Sequence, residues 1–593
     1  MQPDTGCDTG RNFRTAPVLN ASMRRLWPWV LGAGLLACGA PPPATDDGGL
    51  DGGASHGDAG ASDAGVPDAG PDDAGLDCNA GAPSGADVVP TERGPVRGEA
   101  SAAGRAFRGI PYVKPPLGAL RWRPPEPETA CWPGVRDATA FGAKCPQLEQ
   151  QQGAPFDAGA PVTGDEDCLT LNVFTPSDAT PDAGLPVLFF IHGGGNTVGS
   201  ASQEAAASVR LYDGTTLAQR GHVLVVTAQY RLGALGFLSM PALDAESDAG
   251  VSGNYALLDQ QAALQWVQRN IHAFGGDAAR VLLFGESAGA VDTCMQLGMP
   301  ASAGLFHRAI IESGSCTSAS PVTERRQEAA LWLQGTGCAT ATDVAGCLRA
   351  LTPEQLIRAY PVEVVVGERK GAVSWGPTVD GVVLPRRPLD AMLAGAHAKV
   401  PLVVGSNLDE TNLSMPLITT EAEYRAAVAA LVGPALVDAV LQRYPVATYG
   451  TPRKALVQVT TDAFFGCQAR LSARASTRGQ PGVPVYRYLF ARAPVPIQGA
   501  FHGVELPYVF QKANELSASP SAGDLAVEAS MLSLWTRFAQ TGDPTGGANT
   551  WPAYAASEPL LRVDTALTAA TGWRTAECDF WDSLTGLAVP WPP

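Results

Sequence analysis

The chain has 593 residues, 45% of them hydrophobic and only 17% charged, which is ample material for a large buried core. With 41 Lys and Arg against 58 Asp and Glu the net charge is −17, which sets aside a basic surface that grips a nucleic-acid backbone. No stretch reaches the roughly 18 uninterrupted apolar residues of a membrane-crossing helix, so a polytopic helical membrane protein is excluded as well.

The first part of the chain reads as address and tether. Residues 1–22 carry charges but no apolar run, and Met23 opens a complete export signal, so the upstream stretch reads as a misplaced start. Met23-Arg24-Arg25 places two positive charges before Leu26 to Ala37, an apolar run that ends in small residues, and this pattern predicts a secretory signal peptide over 23–37. Leu35-Leu36-Ala37-Cys38 resembles the bacterial lipobox, in which Cys38 would be acylated and become the mature N-terminus. The expected location is outside the cytoplasm, held to a bacterial outer membrane or cell surface through the lipid alone, with plain secretion as the alternative.

After Cys38 the composition collapses to Asp, Gly, Ala, Pro and Ser, and Asp-Ala-Gly recurs every five residues at Asp58, Asp63, Asp68 and Asp73. Such a sequence cannot form a core, and its like charges repel, so residues 38–85 are expected to be a disordered linker. As a free coil it would span about 40 Å. The repeat lacks the Gly-Gly-x-Gly-x-Asp pattern of calcium-loaded β-helices, and no zinc spacing occurs anywhere, so no metal and no cofactor is expected. With 11 acidic and 4 basic residues before position 86, the body keeps 47 acidic against 37 basic and is only moderately acidic. Discounting Cys7 and Cys38 leaves ten of the twelve cysteines, an even number that suits disulfides in an oxidising compartment.

From residue 86 to 593 short apolar runs rich in β-formers alternate with Gly-rich turns and helical patterns. Pro186 to Ile191, Val223 to Val226, Val281 to Phe284 and Val400 to Val404 fit strands buried on both faces of a mixed or parallel sheet. Leu257, Leu264, Val267 and Ile271 share one helical face, and Leu525 to Phe538 forms another amphipathic stretch. The pattern is α/β: a large, mostly parallel central sheet flanked by helices.

The decisive segment is Val281-Leu282-Leu283-Phe284-Gly285-Glu286-Ser287-Ala288-Gly289, a strand running into Gly-x-Ser-x-Gly and then a helix. A serine on that sharp corner projects its hydroxyl away from the backbone, and the flanking glycines keep the corner free of side chains. Ser287 is therefore the expected nucleophile. Gly53-Ala54-Ser55-His56-Gly57 also fits the five-residue pattern, but it has neither strand nor helix around it.

These residues resemble the type-B carboxylesterase/cholinesterase family of α/β-hydrolases. Phe274-Gly275-Gly276-Asp277 through Gly289 is similar to its active-serine signature, and Glu166-Asp167-Cys168-Leu169-Thr170-Leu171-Asn172-Val173 to its second signature. Gly109-Ile110-Pro111-Tyr112, Gly253-Asn254 with Leu258-Asp259-Gln260, and Trp551-Pro552 follow the family pattern too, so the resemblance covers roughly residues 90 to 593.

The resemblance implies the remaining site residues. Of seven histidines, His56 lies in the tether, His192 in a glycine turn, and His222, His272, His307 and His397 flank elements without a catalytic context. His502, in Phe501-His502-Gly503-Val504-Glu505-Leu506, matches the family's catalytic-histidine block. An imidazole titrates near neutral pH and can take the serine's proton and return it to a leaving alcohol. In Asn407-Leu408-Asp409-Glu410 the family places the triad acid on Glu410, leaving Asp409 as a structural neighbour, although Thr411 stands where glycine is common. The order Ser287, Glu410, His502 is that of α/β-hydrolases. After the strand Pro186 to Ile191, His192-Gly193-Gly194-Gly195 can bring N–H groups close to a substrate oxygen. By position the oxyanion donors are Gly194 and Gly195, joined by Ala288. The family pairs Cys145 with Cys168, Cys338 with Cys347 and Cys467 with Cys578. Cys78, Cys131, Cys294 and Cys316 remain, and pairing Cys78 with Cys131 and Cys294 with Cys316 is one way to complete the set.

Two departures limit the substrate. The loop between Cys145 and Cys168 has Phe156 as its only aromatic and no tryptophan, so cation-π recognition of choline lacks its platform. Asn196 follows the glycines where an aromatic is common. The expected activity is a serine carboxylic-ester hydrolase acting on small-molecule esters of small to medium size. A non-catalytic binding protein on the same fold and a long-chain lipase are the alternatives.

Overall fold

The computed structural model describes residues 77–589, apart from residues 82, 84, 150–158, 207–208, 360–362, 366–367, 371–373, 517–518, 547–549 and 588. The export signal, Cys38, most of the expected linker and Phe156 lie outside the described residues.

The central sheet has eleven strands. In chain order these are β1 (Glu99–Ser101), β2 (Gly104–Pro111), β3 (Thr170–Thr175), β4 (Leu185–Ile191), β5 (Leu224–Ala228), β6 (Gly276–Glu286), β7 (Arg308–Glu312), β8 (Leu402–Asn407), β9 (Val485–Phe490), β10 (Pro559–Val563) and β11 (Leu567–Thr571). Across the sheet the order is β11-β10-β9-β8-β7-β6-β4-β5-β3-β2-β1. The strands from β5 to β10 in this order run parallel to one another, with β4 between β5 and β6. The four remaining strands pair antiparallel at the two edges. The sequence of connections reverses at β4, which has β5 on one side and β6 on the other. In parallel sheets such a reversal opens a crevice beyond the carboxyl ends of the strands.

Among the helices that cover the sheet are α1 (Tyr255–Asn270), α2 (Ala288–Gly298), α3 (Cys467–Gly479) and α4 (Ala522–Thr541). Every residue of β4 is buried, because alternate side chains enter opposite cores. Val187, Phe189 and Ile191 pack with Leu257, Leu264 and Val267 of α1 and Met295 of α2. Leu188 and Phe190 pack on the other face with Met531, Leu534, Trp535 and Phe538 of α4. Each such side chain adds about 1.5–3 kcal/mol when fully removed from water. Helix α4 starts where Ser521 and Asp524 form a reciprocal capping box, satisfying two backbone donors that a helix end otherwise leaves open.

The expected strand Val400 to Val404 lies instead at Leu402–Asn407. Pro401 has no N–H to give the ladder, so pairing starts after it, and the polar Ser406 and Asn407 continue in register with Leu489 and Phe490. All ten cysteines other than Cys7 and Cys38 are joined, as Cys78–Cys131, Cys145–Cys168, Cys294–Cys316, Cys338–Cys347 and Cys467–Cys578. Cys78 is thus part of the folded body, which begins a little before residue 86. The bridge Cys467–Cys578 closes a separation of 111 residues and ties α3 to the last helix, Thr575–Thr585. Replacing both cysteines by alanine should lower the unfolding free energy by about 2–5 kcal/mol, measured by denaturant titration under non-reducing conditions, while leaving the other four bridges intact.

Candidate active site

The corner between β6 and α2 carries Ser287, with φ 57° and ψ −122°, a left-handed backbone that a side-chain-bearing residue rarely adopts. It is held there from both sides. Its N–H donates to the carbonyl of Glu312 at 2.9 Å, and its carbonyl accepts from Val291 N–H at 3.0 Å. The flanking glycines are needed for close approach: a Cβ on Gly289 would sit 2.0 Å from the carbonyl oxygen of Ile191, and one on Gly285 would meet Gly289 itself at 2.4 Å. Ser287 is half-buried. The second serine of this pattern, Ser55, lies outside the described residues.

The loop after β8 brings in Glu410, which is 1% exposed. Its Oε2 lies 2.7 Å from Nδ1 of His502, and its Oε1 accepts from the N–H of Asn407 at 2.7 Å. The backbone joins the same two loops, since His502 N–H donates to the Glu410 carbonyl at 3.0 Å. Asn407 adds a further link through Nδ2, which donates to the carbonyl of Phe501 and to the carboxylate of Glu505. Asp409 accepts from Ala500 N–H at 3.0 Å and so braces the loop. Thr411 needs no glycine-like backbone: its hydroxyl reaches the carbonyl of Val457 and the hydroxyl of Thr460.

The other ring nitrogen of His502, Nε2, makes no hydrogen bond, and the Ser287 hydroxyl does not donate to it. Its close neighbour is Oε1 of Glu286, 3.2 Å away, one residue from Ser287. Apo sites often leave this contact loose and tighten it only around a bound substrate. The Phe465 ring lies beside the imidazole at 5.0 Å, carried by a π-helical turn at Asp462–Gly466.

Burial alone would push the His502 ring down. The carboxylates of Glu286 and Glu410 and the hydrogen bond to Glu410 outweigh it and push the ring up to about 10. Burial, with the negative charge of Glu410, raises Glu286 to about 7 against the pull of the ring. Glu286 and His502 therefore compete for one proton at Nε2. When the ring is neutral, Nε2 carries a lone pair that can accept a proton.

After β4 the chain turns through Gly194, Gly195 and Asn196, with φ of 113°, 63° and 59°. Among the described residues, the N–H groups of Gly194, Gly195 and Ala288 donate to no backbone carbonyl in the loops around them. His192 is buried and stacks on Tyr230 at 4.4 Å, and burial lowers it to about 4, so it stays neutral as a structural ring. His397 bonds Gln480 and His222 closes a short helix.

A profile of the carboxylesterase family matches residues 85–581. The chain belongs to this family. Over 476 residues it is 35% identical to the para-nitrobenzyl esterase of Bacillus subtilis (strain 168), covering 79% of this chain and 92% of that protein. Carboxylesterase 1D of Rattus norvegicus is 34% identical over 555 residues, covering 86% and 95%. Among solved structures, a PNB esterase superposes with a TM-score of 0.70 at 33% identity, covering 84% of this chain and all of that one. The protein is a type-B carboxylesterase with an α/β-hydrolase fold.

The loops after β8 and β9 bring Glu410 and His502 together, and Glu286 sets the same ring against the serine corner; sequence reading passed over four residues of this neighbourhood, Glu286, Asn407, Phe465 and Glu505. Glu286 and Glu505 sit inside quoted motifs, so the signal was a carboxylate in a dry neighbourhood beside each key residue. Replacing Glu286 by Gln removes the anion that stabilises the imidazolium. The acid limb of kcat/KM for a neutral ester should then move to lower pH by about one unit or more, and a pH–rate profile checks this.

Proposed function

We propose that this carboxylesterase hydrolyses small to medium esters through an acyl-enzyme formed on Ser287. The serine Oγ attacks the ester carbonyl carbon as its proton passes to Nε2 of His502. The N–H groups of Gly194, Gly195 and Ala288 receive the negative oxygen. The bond to the alcohol then breaks, and Nε2 returns the proton to the leaving oxygen. Water next gives a proton to Nε2 and attacks the acyl carbon, the acid is released, and Ser287 regains its proton. Glu410 holds the ring in one tautomer and stabilises its charge.

The observation that carries this reading is the buried contact between Glu410 and Nδ1 of His502 at 2.7 Å, with Nε2 lying 3.2 Å from Oε1 of Glu286, the residue before the strained serine corner. Relatives named for ester cleavage, among them a fumonisin B1 esterase of Sphingopyxis macrogoltabida at 36% identity, support the reaction class. Ser287→Ala should lower hydrolysis of a short-chain p-nitrophenyl ester by about 10³-fold or more, and Glu410→Gln by up to about 10⁴-fold. A Ser287→Ala variant as fast as the parent refutes the mechanism.

We also propose export and acylation at Cys38. The charged start at Met23-Arg24-Arg25, the short apolar run and Leu35-Leu36-Ala37-Cys38 support it, and five disulfides suit an oxidising compartment. Cys38→Ala should move the protein from the membrane to the soluble fraction, and persistent membrane association argues against the lipid.

A further inference from the structure

The oxyanion loop is built from residues with little conformational preference of their own. Gly194 and Gly195 hold positive φ without side chains to fix them, so their N–H groups point usefully only if both ends of the loop are clamped. At the leading end, the hydroxyl of Tyr230 donates to the carbonyl of His192 at 2.7 Å. At the trailing end stands Asn196, fully buried and itself at φ 59°, a conformation that asparagine tolerates better than most residues.

Asn196 uses its side chain and backbone together. Nδ2 donates to Oδ1 of Asp292 at 3.1 Å, and the backbone carbonyl accepts from Gly233 N–H at 2.7 Å. Asp292 is also fully buried and lies five residues after Ser287, on α2. Its second oxygen accepts from Nε2 of Gln260 on α1 at 2.6 Å. Gln260 in turn accepts from Gln296 of α2 at 3.2 Å, whose amide oxygen takes the hydroxyl proton of Ser302 at 2.6 Å. A continuous buried polar string thus runs from the oxyanion loop between α1 and α2. A purely apolar filler at 196 would occupy the space without linking the loop to the helix.

We propose that Asn196 is a positioning residue, tied through Asp292 to the helix that begins just after Ser287, so that the donors of the loop and the nucleophile share one rigid frame. This rests on the oxyanion assignment of the preceding section. The pairing is directional, since an amide N–H donates to a carboxylate oxygen across a site without room for a charge mismatch. Asn196→Asp sets two acids face to face, and Asp292→Asn leaves one amide oxygen for two donors, Nδ2 of Asn196 and Nε2 of Gln260, so one of them meets an NH2 group. The exchanged pair Asn196→Asp with Asp292→Asn restores one donor and one acceptor in the opposite sense.

The test measures kcat and KM for a p-nitrophenyl ester, with active sites counted by a fluorophosphonate label so that misfolded protein does not enter the turnover number. Asn196→Gly tolerates the left-handed backbone and removes the side chain, and with it the link to Asp292 and a 3.4 Å contact from the Tyr230 hydroxyl, which keeps its bond to the His192 carbonyl. It should lower kcat about 10-fold or more with KM changed less than about threefold. Each single exchange should lower kcat at least as far, and the double exchange should recover to within a few-fold of the parent. The inference is overturned if Asn196→Gly turns over at the parent's rate per labelled site, or if the double exchange is no better than the worse single variant. Should a single exchange not fold, Asn196→Gly decides alone. An active Ser287→Ala in the same assay sinks the underlying mechanism, whereas an inactive Ser287→Ala beside a fully active Asn196→Gly sinks only the positioning role.

Discussion

A carboxylate removed from water must find donors or give up its charge, and this site is organised around that constraint. Glu286 ends β6, Glu312 ends the neighbouring β7 directly opposite it in register, and Glu410 follows β8. Glu505 arrives from the histidine loop. All four are buried, and the one group of opposite charge between Glu286 and Glu410 is the ring of His502. Glu312 finds Trp535 of α4 at 2.6 Å, Glu505 finds Asn407, and Glu410 finds the ring and a backbone N–H. Burial and mutual repulsion raise Glu286, Glu312 and Glu505, and the imidazole lies against two of the four carboxylates.

The topology explains how residues more than a hundred positions apart meet. Four neighbouring parallel strands end on the same side of the sheet. β4 delivers the glycine loop, β6 the serine, β7 the carbonyl that holds the serine's N–H, and β8 the acid. The histidine loop follows β9 and is bonded to the acid loop by main chain and side chain alike. Precision comes from strand ends fixed by two packed cores.

Local signals were legible and convergent ones were not. The corner at Ser287 could be read because strand, glycines and helix are consecutive, and buried runs such as Leu185–Ile191 announce themselves by composition. The end of β8 could not, because Ser406 and Asn407 look like loop residues until Leu489 and Phe490 pair with them. Asp292 looks like an ordinary polar residue of a helix, and Asn196 like a missing aromatic. Their meaning exists only when β4 and α2 lie side by side. Cys78, Cys131, Cys294 and Cys316 pose the same problem, since spacing does not fix connectivity.

The bridge between Cys78 and Cys131 has a mechanical consequence. The edge strands β1 and β2 both lie within the covalent loop that it closes. Tension applied along the polypeptide before residue 77 is shared at Cys78 with a sulfur–sulfur bond leading to Cys131. It therefore cannot unzip those two strands in succession from the margin of the sheet, and a pull at this end loads a covalent bond before it loads the edge ladder.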